Sequence, residues 1–288
     1  MRYSILVLLL ISAPLALAAA DAKPTPPLRT RAEVEAALSK APVPDPKVMR
    51  QIKKIVLVAT VKDHGPGEHD YPRWQTNWTK LLSQLEGVSV TTAWKWPNDE
   101  QFAQANLLVF YYWNHNWTDE AFRQLDAFFA RGGGVVVLHS SCIADNEPDI
   151  QPLADRIGLA SHPKRSKYRH GELDLKFTVS ADHPLTVGLP RTIHFVDETY
   201  WPLFNATNQI GRTVETIATA EEEGKDWPMV WTYRKDKGRV FGTILGHYLR
   251  TFEDPLYRLL VLRGMAWAMG DDAARYEKLV TLGVQFKE

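Results

Sequence analysis

Thr118–Ser141, TDEAFRQLDAFFARGGGVVVLHSS, holds the signal from which the fold is read. Thr118 with Glu120 close behind has the look of a helix N-cap, and the segment Ala121–Ala130 carries apolar residues at helical spacing. Gly132-Gly133-Gly134 ends that helix. Val135-Val136-Val137-Leu138 follows as a strand with no polar face, the pattern of a strand buried on both sides in a parallel sheet.

The same alternation runs outward in both directions. Upstream, Ile55–Ala59 is a β-branched strand, Trp74–Leu85 a helix with Trp74, Trp78, Leu81, Leu82 and Leu85 at helical spacing, and Val88–Ala93 and Leu107–Tyr112 are further strands. Downstream, strand-like runs occur at Leu173–Val179, Thr213–Ala218, Met229–Tyr233 and Arg239–Leu245, followed by a helix from about Asp254 to Met269. Strands and helices that alternate through short loops predict a doubly wound α/β domain. The less regular second half predicts an antiparallel extension of the same sheet, with no internal repeat.

The ends differ in character. Met1–Ala20 reads as a secretory leader: Arg2 supplies the positive start, Ile5–Ile11 the apolar run, and Ala16-Leu17-Ala18 or Ala18-Ala19-Ala20 a small-residue cleavage site. The expected location is therefore periplasmic or secreted. Residues 21–50 are punctuated by proline and read as a linker or lead-in, with one short helix at Arg31–Lys40. Residues 51–288 are expected to form the domain.

Composition narrows the function. The chain has 288 residues, 34 Lys+Arg against 34 Asp+Glu, ten Trp and one Cys. A net charge of zero gives no drive toward nucleic acid or an anionic membrane. A single cysteine, Cys142, excludes a disulfide framework, a CxxC pair and any multi-cysteine metal site, and an isolated thiol in an exported protein is expected to be buried.

Ligands of open parallel sheets bind at the carboxyl ends of strands. Just past those ends stand Asp63-His64-Gly65-Pro66-Gly67-Glu68-His69, Asn114-His115-Asn116, His139-Ser140-Ser141 and Gly246-His247-Tyr248. Gly-Pro-Gly forces a stiff turn, so His64, Glu68 and His69 project from a constrained loop. Asp197-Glu198 is a pair of adjacent carboxylates: in a cleft, repulsion is expected to raise the pKa of one so that it can act as an acid or base, and the alternative is that one of them faces solvent. Asp182-His183-Pro184 reads as a turn, and His162, His170 and His194 receive no role.

These residues divide by chemistry. Glu198, His139 and His247 are the candidate catalytic groups, because imidazole and a partly buried carboxyl titrate near working pH. His64, Glu68, His69, Tyr112, His115, Ser140, Tyr200 and Tyr248 are candidate substrate contacts, the aromatic rings stacking on sugar C–H faces while their neighbours bond hydroxyls. No HExxH motif is present, yet His64, His69 and His139 offer three ligands, so a divalent metal such as zinc is the one cofactor the residues suggest. The expected partner is a small carbohydrate. A homo-oligomer is left open, and no segment points to nucleic acid or, once the leader is removed, to a membrane.

The succession His64–His69, Gly132–Ser140, His183–Leu189, Asp197–Tyr200, Pro228–Trp231 and Gly238–His247, in this order, resembles the trehalose-utilisation (ThuA-like) family from about Ile55 to Met269. The resemblance implies a fold similar to class I glutamine amidotransferases, a flavodoxin-like three-layer sandwich with a mostly parallel sheet. It also implies a role in disaccharide metabolism, including routes through 3-keto sugars. Amidotransferases place a cysteine on a strained elbow between small residues. Here that strand end reads Leu138-His139-Ser140-Ser141-Cys142, so thiol amidotransfer is not expected. The reading that follows is an exported sugar-processing enzyme, a hydrolase, lyase or isomerase; the alternative is a non-catalytic carbohydrate-binding accessory protein.

Overall fold

The β-branched run forms strand β1 (Lys53–Ala59), buried at six of seven positions, and sits inside a nine-stranded sheet. The computed structural model describes residue 26 and residues 28–40, 44–207 and 213–288. The leader expected at residues 1–20 lies outside the described residues.

In chain order the elements are α1 (Arg31–Leu38), α2 (Pro46–Met49), β1, α3 (Tyr71–Leu82), β2 (Val88–Trp94), α4 (Asp99–Gln104), β3 (Leu107–Phe110), α5 (Asp119–Ala130) and β4 (Gly134–Leu138). A 3-10 turn at His139–Cys142 leads to α6 (Glu147–Ile157), β5 (Leu159–Ala160), β6 (Lys167–Phe177), β7 (Thr192–Trp201), β8 (Phe204–Asn205), β9 (Glu215–Glu222), β10 (Lys225–Lys235) and β11 (Gly238–Thr243). A second 3-10 turn at Leu249–Glu253 precedes α7 (Pro255–Met269) and α8 (Ala274–Glu277).

The sheet order is β2-β1-β3-β4-β11-β10-β9-β6-β7. The first five strands run parallel, and from β11 onward every pairing is antiparallel. This is the extension expected from the irregular second half. Strands β5 and β8 pair separately.

Helices cover both faces of the parallel strands. Phe241 of β11 lies under Gly264 of α7, where a Cβ would come within 2.5 Å of its ring. The next residue, Gly242, abuts Trp231, whose indole N–H donates to the Ile157 carbonyl of α6 at 2.7 Å. Neighbouring strand residues point to opposite faces, so α7 and α6 lie on opposite sides and the layers are three. Helix α7 starts where the Asp254 carboxylate accepts from Leu256 and Tyr257 N–H, and ends at Gly270 in a left-handed conformation (φ 64°).

Part of the lead-in is packed onto the domain. Val34 and Ala37 of α1 are fully buried, the Arg29 guanidinium donates to Asp254 at 2.8 Å, and Thr30 bridges to Lys287. Among the described residues no helix is long and apolar enough to cross a membrane.

Candidate active site

Four strand-end segments converge above the carboxyl edge of the parallel strands. After β1, the Lys62 ammonium gathers the carbonyls of His64, Gly65 and Glu68 into a tight loop. The Gly-Pro-Gly turn closes with Glu68 N–H donating to Gly65 O at 3.2 Å, and Gly67 takes φ 76°. A bridge between Glu68 and Tyr248, with His69 N–H donating to His247 O at 2.9 Å, staples this loop to the one after β11.

His69 and His139 both hold positive φ, 42° and 52°. For a residue with a Cβ that conformation costs on the order of 1–3 kcal/mol and persists only where its surroundings enforce it. His139 is the first residue past β4, so the sharp strand-to-turn elbow exists and imidazole occupies it. Cys142 lies three residues on, fully buried, with its thiol pushed by burial up to about 12. A thiol so protonated is no nucleophile.

The imidazoles meet at their tips. His69 Nε2 is 2.8 Å from His139 Nε2, and His247 Nδ1 lies 3.1 and 3.3 Å from those two atoms. Glu198 Oε2 completes the group at 3.2 Å from His139 Nε2 and 3.0 Å from His247 Nδ1. All four side chains are buried.

The outer atoms decide which inner atoms carry protons. His139 Nδ1 faces the Ile244 carbonyl at 2.6 Å; a carbonyl only accepts, so the proton sits on Nδ1 and Nε2 presents a lone pair. His69 Nδ1 faces the Asp63 carboxylate at 2.8 Å, which again leaves a lone pair on Nε2. Burial first, then the neighbouring imidazoles, holds His69 down at about 3 despite the bond to Asp63, so the ring is neutral at pH 7. His247 is likewise lowered to about 4, chiefly by burial. In these neutral tautomers two nitrogen lone pairs face each other at hydrogen-bond distance.

The carboxylates are sorted by their partners. Burial works to raise Glu198, but its contacts with His139, His170 and His247 outweigh it and hold the carboxyl far below the usual range. Asp197 is fully buried and raised by that burial. It accepts from the N–H groups of Glu198, Gly246 and His247 at 2.7, 3.0 and 2.9 Å. Asp197 is thus the raised carboxyl of the pair, and the alternative that one of the two faces solvent is overturned: both are buried, and each is held from its own side.

Other expected residues divide. Tyr200 donates from its hydroxyl to Glu198 at 3.0 Å and lies 3.0 Å from His139 Nε2. Glu68 is 3.7 Å from His247 Nε2, Ser140 bonds the Tyr71 hydroxyl, and Tyr248 meets His170 at 3.3 Å. The expected ligand trio His64, His69 and His139 is not one group: His64 is half-exposed and joins His69 through Asp63 (2.8 Å), while His139 belongs with His69, His247 and Glu198. Two expected contacts fall away. Tyr112 is core, its backbone bonded to Ser141, and His115 is paired with Asp145 at 2.6 Å in an exposed position.

The sequence reading missed His170, whose Nε2 lies 3.1 Å from the outer Glu198 oxygen. It also missed Tyr71, which bonds His69 Nδ1 at 2.7 Å. His170 is directly opposite Glu198 in the β6–β7 register, a signal available only to a reading that sees Thr192–Trp201 as a strand. A cavity of about 400 Å³ opens beside the cluster, with His69, His170, Glu198 and Tyr200 on its wall.

Comparison with known proteins gives the family and the fold. A family model described as trehalose utilisation matches residues 55–268. Similar solved structures include a ThuA-like protein from Parabacteroides merdae, at 21% identity over 77% of this chain and 92% of that one, with a TM-score of 0.57. A ThuA-like protein from Bacteroides uniformis matches at 15% identity over 78% and 96%, with a TM-score of 0.58. The β-galactosidase from Bacillus circulans matches at 12% identity over 77% of this chain but 32% of its own, with a TM-score of 0.51. No curated protein matches.

Proposed function

The chain belongs to the trehalose-utilisation (ThuA) family, and from that premise we propose that it is an exported, metal-assisted enzyme acting on a disaccharide, glycoside or keto-sugar. One observation carries the metal: the lone pairs of His69 Nε2 and His139 Nε2 point at each other across 2.8 Å, with His247 Nδ1 within 3.3 Å of both. Protein groups alone leave that contact repulsive; a divalent cation between the nitrogens makes it attractive. Tetrahedral zinc with bonds of about 2.0–2.1 Å spaces its nitrogens by roughly 3.3 Å. The outer partners support the same reading, since a carboxylate (Asp63) and a backbone carbonyl (Ile244) are what orient ligating imidazoles.

Three imidazoles with a fourth position open toward a cavity is a catalytic complement. The bound cation would polarise a sugar oxygen or acidify a bound water. With His139 and His247 committed to such a cation, Glu198 would lose two of the contacts that hold its pKa down and could take up a proton there, its outer oxygen steadied by His170 and its inner one by Tyr200. Asp197 holds the His247 segment in place from behind. A neutral sugar suits the neutral chain, and the leader-like residues 1–20 support export.

Protein purified without a histidine tag tests the reading. Elemental analysis is expected to find about one divalent metal per chain. Incubation with glycosides and their 3-keto derivatives, resolved by mass and retention, is expected to show a product that chelation abolishes and added metal restores. Absence of stoichiometric metal removes the metal site, and sugars bound yet recovered intact leave a binding protein.

A further inference from the structure

The outer part of the cavity carries chemistry that the metal cluster does not use. Side chains alternate along a strand, so Tyr168 and His170 share one face of β6, and their partners Tyr200 and Glu198 share it on β7. Three of these four are bonded into the cluster. Tyr168 is not: it is 65% exposed at the cavity wall, its ring edge-on to His170 with centroids 5.8 Å apart.

A second aromatic lines the same cavity. The Trp113 indole N–H donates to Asp145 at 2.8 Å, and His115 lies against its ring at 4.8 Å, so the indole is pinned. His162, also on the wall, is only 4% exposed. Its Nδ1 accepts the Lys164 N–H at 3.2 Å, which places the proton on Nε2. Among the described residues nothing accepts from that Nε2–H.

Resting on the enzyme reading above, we propose that Tyr168, Trp113 and His162 form an outer subsite for the second ring of a disaccharide or glycoside whose first ring sits at the His69–His139–His247–Glu198 cluster. Ring faces suit the C–H faces of a pyranose, and a fixed N–H donor suits its hydroxyl or ring oxygen. Lys167, the lysine on this wall, is neutralised by Glu223 at 2.7 Å. The subsite therefore favours an uncharged sugar over a sugar phosphate.

Calorimetric titration of the metal-loaded protein with glucose and a panel of glucose disaccharides, trehalose among them, tests this. In the parent protein the best disaccharide is expected to bind roughly tenfold more tightly than glucose, a difference of about 1.4 kcal/mol. Tyr168→Ala is expected to erase that gap while leaving glucose affinity and metal content unchanged; Tyr168→Phe, which keeps the ring, is expected to preserve it. A gap that survives Tyr168→Ala, equal weakening of both sugars, or no gap in the parent overturns the subsite and leaves the catalytic reading standing. Failure of every sugar to bind overturns both.

Discussion

At the scale of single residues, the site is a set of side chains whose protonation is imposed by their second contacts. Asp63 makes this visible: burial would raise its carboxyl, but bonds from His69 and His64 hold it at about 2, so it remains an acceptor at any working pH. That acceptor keeps the His69 proton on Nδ1 and the lone pair on the inner nitrogen. The roles of the inner atoms then separate by substitution. His69→Ala removes a proposed ligand that the surrounding loop holds at positive φ, and metal content is expected to fall to a few per cent of the parent, with turnover lost. Glu198→Gln keeps the shape of the side chain but removes its charge and one of its two acceptor oxygens. It is expected to retain most of the metal while turnover falls about 10²–10⁴-fold, the range of a lost general base. Elemental analysis beside a rate measurement separates the two. Metal lost with Glu198→Gln would make that carboxylate a ligand instead.

At the scale of elements, legibility in the sequence followed the simplicity of each pattern. The apolar runs at Ile55–Ala59 and Val135–Leu138 became β1 and β4 with little change, and Thr118 caps α5 through a bond from Ala121 N–H at 3.1 Å. Helix α6 was hidden by Pro148 and Pro152, although Ile150, Leu153, Ala154 and Ile157 keep a helical stripe buried. Strand β7 was hidden because nearly all of it is buried, so its alternation is chemical and not hydropathic: Asp197 and Thr199 turn one way, Glu198 and Tyr200 the other. With β7 unread, the register that sets His170 opposite Glu198 could not be seen, and the bond between them went with it. Asp197 shows what the element does for the site. Its carboxylate is the shared acceptor for three buried N–H groups, two of them in the His247 segment. Asp197→Ala leaves those donors unmet at about 1–3 kcal/mol each. A loss of several kcal/mol is expected in denaturant unfolding, together with weaker metal retention because His247 is no longer held. Unchanged stability would show that other groups position that loop.

At the scale of the whole molecule, the four side chains of the cluster come from segments far apart along the chain: residue 69 after β1, residue 139 after β4, residue 198 on β7 and residue 247 after β11. The parallel half of the sheet supplies three of them and the antiparallel half the fourth, so the extension folds back to complete a site that the doubly wound half cannot finish alone. The proposed cation at that junction would tie both halves together and would be bound by the folded chain only, because no two of these residues are neighbours in the unfolded one. Ligand linkage then fixes the sign and size of the effect. Free metal at 100 times its Kd adds about 2.7 kcal/mol, and at roughly 2–4 °C per kcal/mol for a chain of this size the melting temperature is expected to rise by about 5–10 °C. Chelation is expected to reverse the shift in the parent protein. His69→Ala, which starts from a lower melting temperature, is expected to show no response to either treatment. A scan in which chelator leaves the parent unmoved, or in which metal raises parent and His69→Ala equally, would place any bound ion away from this junction.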